Sequence, residues 1–505
     1  MRSFPSCVPL AALWFGAVLP AGAQAPRART TPLRGSLEHR LVALLDQPPF
    51  DQATWGVYVI DERGRVLFQR NANRLFVPAS NTKLVVTAAA AVLLPADYRV
   101  RTSVYVNGSV VNGVVHGDLV LYGRGDPTFS TRCYGADTLA PGACDSATAV
   151  MGALADSVRA RGIRQVTGRL VGDGSYFEPR LLHPAWELFD ATWWYAAPVS
   201  GLAFNDNSID FLITPGPGPD TPPAITWAPD VGLATFENRA RTAPADSGST
   251  IGDNFFRTPG TWDFWAEGTV AAGRRPWTES VAVPDPNLYA ARALATALVG
   301  RGIAVEGGAA STMDSLAYRG ARLGPPLAER LGRPLGDMVF PILNSSQNTF
   351  AEYLLKILGR EIGGGGSWEA GLLVERRFLT DVVGLDSTAY SLVDGSGLAT
   401  GNLVTPRALV RLLDYLYRHP RRDLLLRGLP RPGRPGSLLR RFVGTPLEAR
   451  VTAKTGSITH VNSLSGYVES AGGRRLTFSI QANNHAAPSE QILAQIDSVV
   501  VEMAR

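Results

Sequence analysis

The chain reads as an α/β (α+β) domain interrupted by a large, mostly-β insert. Three observations predict this. A helix and strands open the chain, short strands with hairpin turns fill the middle from about Val100 to Pro284, and helices with a three-strand pattern close it. At 505 residues the chain exceeds one ordinary domain. Hydrophobic residues at 45% and charged residues at 18% exclude disorder. The net charge of +5 comes from 49 basic and 44 acidic residues with the arginines scattered, which argues against a nucleic-acid partner. Only three of the basic residues are lysines, Lys83, Lys356 and Lys454.

Residues 1–23 have the form of a signal peptide. Arg2 precedes the short apolar run Leu10–Val18, and Ala21-Gly22-Ala23 is a small-x-small cleavage site. That run is too short to span a bilayer, and no later stretch supplies a transmembrane anchor. The expected protein is therefore exported and soluble. Cys133 and Cys144 then remain as an even pair in an oxidising compartment, and a disulfide between them is expected. The six histidines form no ligand cluster, so no metal and no cofactor are expected.

Taken in order, Leu37–Leu45 has helical spacing. Trp55–Ile60 and Val66–Arg70 read as strands, and an apolar helix runs from Ser80 to Leu94. Asn107-Gly108 and Asn112-Gly113 are hairpin signals that begin the insert. Helices return at Leu288–Val299, Asn348–Leu358, Ser367–Leu379 and Pro406–Arg418. Strands follow at Glu448–Ala453, Ser463–Glu469 and Leu476–Ala482, and a helix over Pro488–Met503 closes the chain. The expected division is 24–98 and 285–505 for the two parts of one domain, with 99–284 inserted between them.

Three short motifs could carry chemistry: Ser80-Asn81-Thr82-Lys83, Ser346-Gln347-Asn348 and Lys454-Thr455-Gly456-Ser457. Ser80 opens the apolar helix, and Lys83 lies one turn on, on the same face. A lysine held among Leu84, Val85 and Val86 is disfavoured in its charged form, so it can take a proton from the serine. Ser346 and Asn348 could merely cap the helix that follows. Beside the other motifs they read instead as a proton relay and a side-chain amide for a bound backbone. Lys454-Thr455-Gly456 ends a strand along which an extended peptide can dock, with Lys454 and Thr455 on its terminal carboxylate. Lys356 is expected to be a solvated side chain. An ordinary lipase-type hydrolase is excluded, since no G-x-S-x-G occurs.

The three motifs match the active-site serine penicillin-recognising enzymes. The chain closely resembles the D-alanyl-D-alanine carboxypeptidase/endopeptidases of the class C low-molecular-mass penicillin-binding proteins, peptidase family S13. Further segments carrying the resemblance are Phe76–Lys83, Gly117-Asp118-Leu119 through Gly125-Asp126-Pro127, and Gly172-Asp173-Gly174-Ser175. Ala197-Pro198-Val199-Ser200, Asp394-Gly395-Ser396-Gly397-Leu398, Gly436-Ser437-Leu438 and Ser465-Gly466-Tyr467 complete it. The 263 positions from residue 83 to residue 346 leave room for the insert that these enzymes carry and compact β-lactamases lack.

The resemblance implies a serine DD-peptidase/β-lactamase-like transpeptidase fold. It also implies a secreted, periplasmic enzyme acting on peptidoglycan peptides through a Ser80 acyl-enzyme that β-lactams trap. In that reading Lys83, Ser346 and Lys454 are catalytic, while Asn348, Thr455, Gly456 and Ser457 bind substrate. Asp173 is expected to meet the amino group of the substrate's third side chain. Two positions depart from the family pattern: Gln347, where relatives often have Asp, and Thr400, where they often have an arginine resembling a clamp for that side chain's carboxylate. The rival readings are a β-lactamase on the same scaffold, which needs an extra glutamate for deacylation, and a non-catalytic peptidoglycan-binding protein, which need not keep Ser80, Lys83 and Lys454.

Overall fold

A computed structural model of the chain describes residues 35–130, 132, 134 and 147–505. The expected signal peptide and both cysteines of the expected disulfide lie outside the described residues. Among the described residues, no helix is long and apolar enough to cross a membrane.

The two ends of the chain build one sheet. Five antiparallel strands stand in the order Val451–Ile458, Val461–Glu469, Arg475–Asn483, Thr54–Asp61, Val66–Arg70. Trp55, Val57 and Val59 alternate onto one face with Phe478, Ile480 and Leu464, and there they bury the apolar stripes of the Leu37–Leu45 and Ser489–Met503 helices. The opposite face packs on the Pro406–Arg418 helix, where Tyr467 donates its hydroxyl to the Leu413 carbonyl and Ile60 meets Val410. That helix belongs to an all-helical body with Lys83–Leu93, Leu335–Asn344, Asn348–Glu361 and Trp368–Arg377.

Within the Lys83–Leu93 helix, burying Leu84, Val85 and Val86 contributes about 1.5–3 kcal/mol each. The same core takes up Lys83, which disfavours its charged form.

Between these parts lies the insert. Its larger sheet has seven strands in mixed order. It joins Arg101–Val111 and Val114–Gly123 to Gln165–Val166 and Leu170–Asp173, and also to Ala304–Val305, Ala309–Thr312 and Ala328–Leu331. The sheet therefore runs past residue 284, the expected end of the insert, as far as Leu331. Two helices, Ala149–Ala160 and Pro286–Val299, pack into its core, so the insert is less purely β than expected. Two three-stranded sheets drawn from residues 208–282 extend it. Of the two hairpin signals, only Asn112-Gly113 turns the chain. Asn107-Gly108 stays in the strand, because Gly108 pairs with Gly117 across the ladder, where an added Cβ would strike the His116 carbonyl at 2.2 Å.

Candidate active site

The three motifs converge where the edge strand Val451–Ile458 passes the start of the Lys83–Leu93 helix. Ser80 sits in a short 3-10 turn, Ala79–Thr82, just ahead of that helix. Ala79 adopts a left-handed φ of 48°, which costs an L-residue about 1–2 kcal/mol. Ser80 is half-buried there, while Asn81, Thr82 and Lys83 enter the core.

Lys83 is fully buried. Its Nζ lies 2.8 Å from Ser80 Oγ and donates to Asn348 Oδ1 and to the Ser396 carbonyl, each at 2.7 Å. Burial pushes its pKa down to about 7, against the opposing pull of Asp394 and Glu352. Such an amine is substantially neutral at physiological pH. Lys454 is also fully buried, with Nζ 2.8 Å from Ser346 Oγ and donating to the Thr455 carbonyl at 2.8 Å. Burial, and then repulsion from Lys83, hold its pKa well below the ordinary lysine range.

Gln347 caps the Asn348–Glu361 helix, its Oε1 accepting from the Thr349 N–H at 3.0 Å. Ser346 and Asn348 are thereby released from capping. Ser346, at a left-handed φ of 62°, faces Lys454, and Asn348 faces Lys83 while its Nδ2 donates to the Tyr195 carbonyl at 2.9 Å. Gly456 is required by close approach: a Cβ there would stand 2.6 Å from the Pro78 carbonyl oxygen and 3.1 Å from the Ser80 nitrogen. Thr455 Oγ1 donates to Ser437 Oγ at 2.8 Å, and Ser457 Oγ accepts from Asn462. The Lys-Thr-Gly segment lies inside the strand rather than at its end.

A cleft of about 920 Å³ opens over these groups and is lined by Ser80, Ser346, Asn348, Thr455, Gly456 and Ser457. Thr400 lines it too. The insert contributes a wall that no motif spacing marked, with Tyr195 and the acidic Glu187, Asp190 and Asp253. Asp173 is not in the cleft. It is fully buried at the end of an insert strand, paired with Arg322 and accepting the Ser175 N–H at 2.9 Å, so it has no free edge for a substrate amino group. Lys356 is not solvated either. It is fully buried, 3.4 Å from the centre of the Trp368 ring and 3.4 Å from Glu178 Oε1, and it donates to the Arg180 carbonyl. Its helix is sandwiched between the Lys83 helix and the insert, which leaves it almost no wet face.

The family model for D-Ala-D-Ala carboxypeptidase 3 (S13) matches residues 37–503. The D-alanyl-D-alanine carboxypeptidase of Actinomadura sp. (strain R39) is 32% identical, over 98% of this chain and 89% of its own. Penicillin binding protein 4 from Haemophilus influenzae shares the fold with a TM-score of 0.78 at 22% identity, over 92% of this chain and 98% of its own. A complex of that protein with a β-lactam superposes with a TM-score of 0.72 at 20% identity, over 92% of this chain and 99% of its own.

Proposed function

Because the chain belongs to the D-Ala-D-Ala carboxypeptidase 3 (S13) family, we propose that it is a secreted serine-type D-Ala-D-Ala carboxypeptidase of the bacterial cell envelope that acts on peptidoglycan peptides and is acylated by β-lactams. One observation carries the reading: a fully buried amine with a pKa near 7 stands 2.8 Å from a half-exposed serine oxygen. Lys83 takes the Ser80 proton as Oγ attacks the carbonyl of the penultimate D-Ala. The Ser80 N–H and one from the Val451–Ile458 strand hold the oxyanion. The proton that Lys83 took is relayed through Ser346, which Lys454 holds in place, to the departing amine, and terminal D-Ala leaves. Water then attacks the ester while Lys83, neutral again, takes its proton and hands it to the departing Ser80 Oγ, which frees the acid and restores the enzyme. Thr455, with Ser437 behind it, meets the terminal carboxylate, and Asn348 meets the peptide backbone.

The β-lactamase alternative differs in the fate of the acyl-enzyme, which it would hydrolyse rapidly. The test pairs D-alanine release from a pentapeptide with intact mass after penicillin treatment. One adduct, absent in Ser80→Ala, is the expected result. An adduct that survives in Ser80→Ala overturns the assignment, and rapid loss of the adduct in the wild type favours a β-lactamase.

A further inference from the structure

The two acceptors that orient Lys83 come from different segments. Asn348 starts the Asn348–Glu361 helix, and Ser396 lies in the turn between the short strands Tyr390–Ser391 and Leu403–Val404. One side chain joins these segments. Glu352, one turn along the helix from Asn348 and fully buried, accepts the Ser396 N–H at 2.7 Å, the Gly395 N–H at 3.1 Å and the Trp368 indole N–H at 2.7 Å. The same turn presses on the nucleophile's own loop: at Gly397 (φ 81°) a Cβ would sit 1.9 Å from the Ala79 carbonyl oxygen. A shift of the turn would therefore move both the amine's acceptor and the segment that carries Ser80.

We propose that Glu352 is a positioning residue for Lys83: it locks the 394–397 turn so that the Ser396 carbonyl aims the amine at Ser80, and its charge, beside that of Asp394, helps to set the pH at which that amine becomes a base. The proposal rests on the reading of Ser80 and Lys83 above. Glu352 does not line the cleft, so its action is through Lys83.

The charged and titratable groups facing Glu352 are Asp394 in the turn, Glu375 on the Trp368–Arg377 helix, Lys356 one turn on along its own helix, and Lys83. Burial, with Asp394 adding to it, pushes Glu352 up to about 7, the same range as Lys83. Burial, with repulsion from Glu352 and Asp394 adding to it, raises Glu375 well above the carboxylate range, and neither of its oxygens has a hydrogen-bond partner among the described residues. The sign follows. An ionised Glu352 stabilises protonated Lys83 and raises its pKa; removing that charge lowers it, and the rate limb that rises as Lys83 deprotonates moves to lower pH.

The experiment is the second-order rate of penicillin acylation from acid to alkaline pH for the wild type, Glu352→Gln, Trp368→Phe and Glu375→Gln. In Glu352→Gln the rising limb should move down by about one pH unit, with a plateau lowered about tenfold. Trp368→Phe keeps an aromatic face for Lys356 but removes a donor from Glu352, so the limb should move the same way by less. Glu375→Gln, at a carboxyl that bonds neither the 394–397 turn nor Lys83, should leave the limb in place. A limb that stays put in both Glu352→Gln and Trp368→Phe overturns the proposal, whatever the plateaus do, as does an equal shift in Glu375→Gln. If the wild type is not acylated at all, the parent reading fails instead.

Discussion

Lys83, Lys356 and Lys454 are the chain's only lysines, and all three are fully buried while the surface cations are arginines. Arginine holds its proton too firmly to act as a base, whereas an amine yields its proton when desolvated. Acylation by penicillin should therefore rise with pH through about 7, the range to which burial brings Lys83, and level off above it. A stopped-flow or quenched rate profile checks this; a flat profile between pH 5 and pH 9 would remove Lys83 as the base. Lys83→Arg should slow acylation at least about a hundredfold, the scale of a lost general base, and the same assay reads it. The Ser80–Lys83 pairing was legible in sequence because three-residue helical spacing by itself brings the two side chains together. Asp173 was not, because its neighbour Arg322 lies far along the chain and only the insert sheet joins them.

Elements with local stop and start signals were the legible ones. Leu37–Leu45 and Pro406–Arg418 match their expected bounds because Ser36 and Thr405 cap them through side-chain acceptors and Pro406 opens the second. Leu335–Asn344 went unread, with Pro341 in the middle of its pattern. The edge strand owes its closeness to Ser80 to one missing methyl. Gly456→Ala should lower acylation at least about tenfold, because the added methyl meets the Ser463 side chain of the paired strand as well as the Pro78 carbonyl and the Ser80 nitrogen, and making room for it moves the strand relative to Ser80. An unaltered rate would show that the approach does not matter. Lys356 reverses its expectation, because its helix is buried nearly all round. Lys356→Arg should destabilise by about 1–3 kcal/mol through overpacking against Trp368, read as a lower denaturation midpoint.

Across the whole molecule, the insert and the catalytic body are held by buried polar contacts as well as apolar ones. Tyr353, in the catalytic Asn348–Glu361 helix, donates its hydroxyl to the Leu202 carbonyl at 2.7 Å and accepts from Asn207 Nδ2 at 2.8 Å. Tyr353→Phe leaves both groups buried without that partner and should cost about 1–3 kcal/mol, measured by thermal or urea unfolding; an unchanged midpoint would mean that the junction does not depend on this hydroxyl. The sequence by itself determined the order of the three motifs, the helix–strand character of the two terminal parts and the presence of a long insert. Each of these is written in local spacing and composition. Only the tertiary structure decided that Lys83 has a pKa near 7, that Glu352 stands behind it, that Lys356 is dry, that Asp173 is spent on Arg322, and that the insert's sheet reaches Leu331. Those properties depend on which distant segments pack around a side chain and exclude water from it, and no local pattern encodes that.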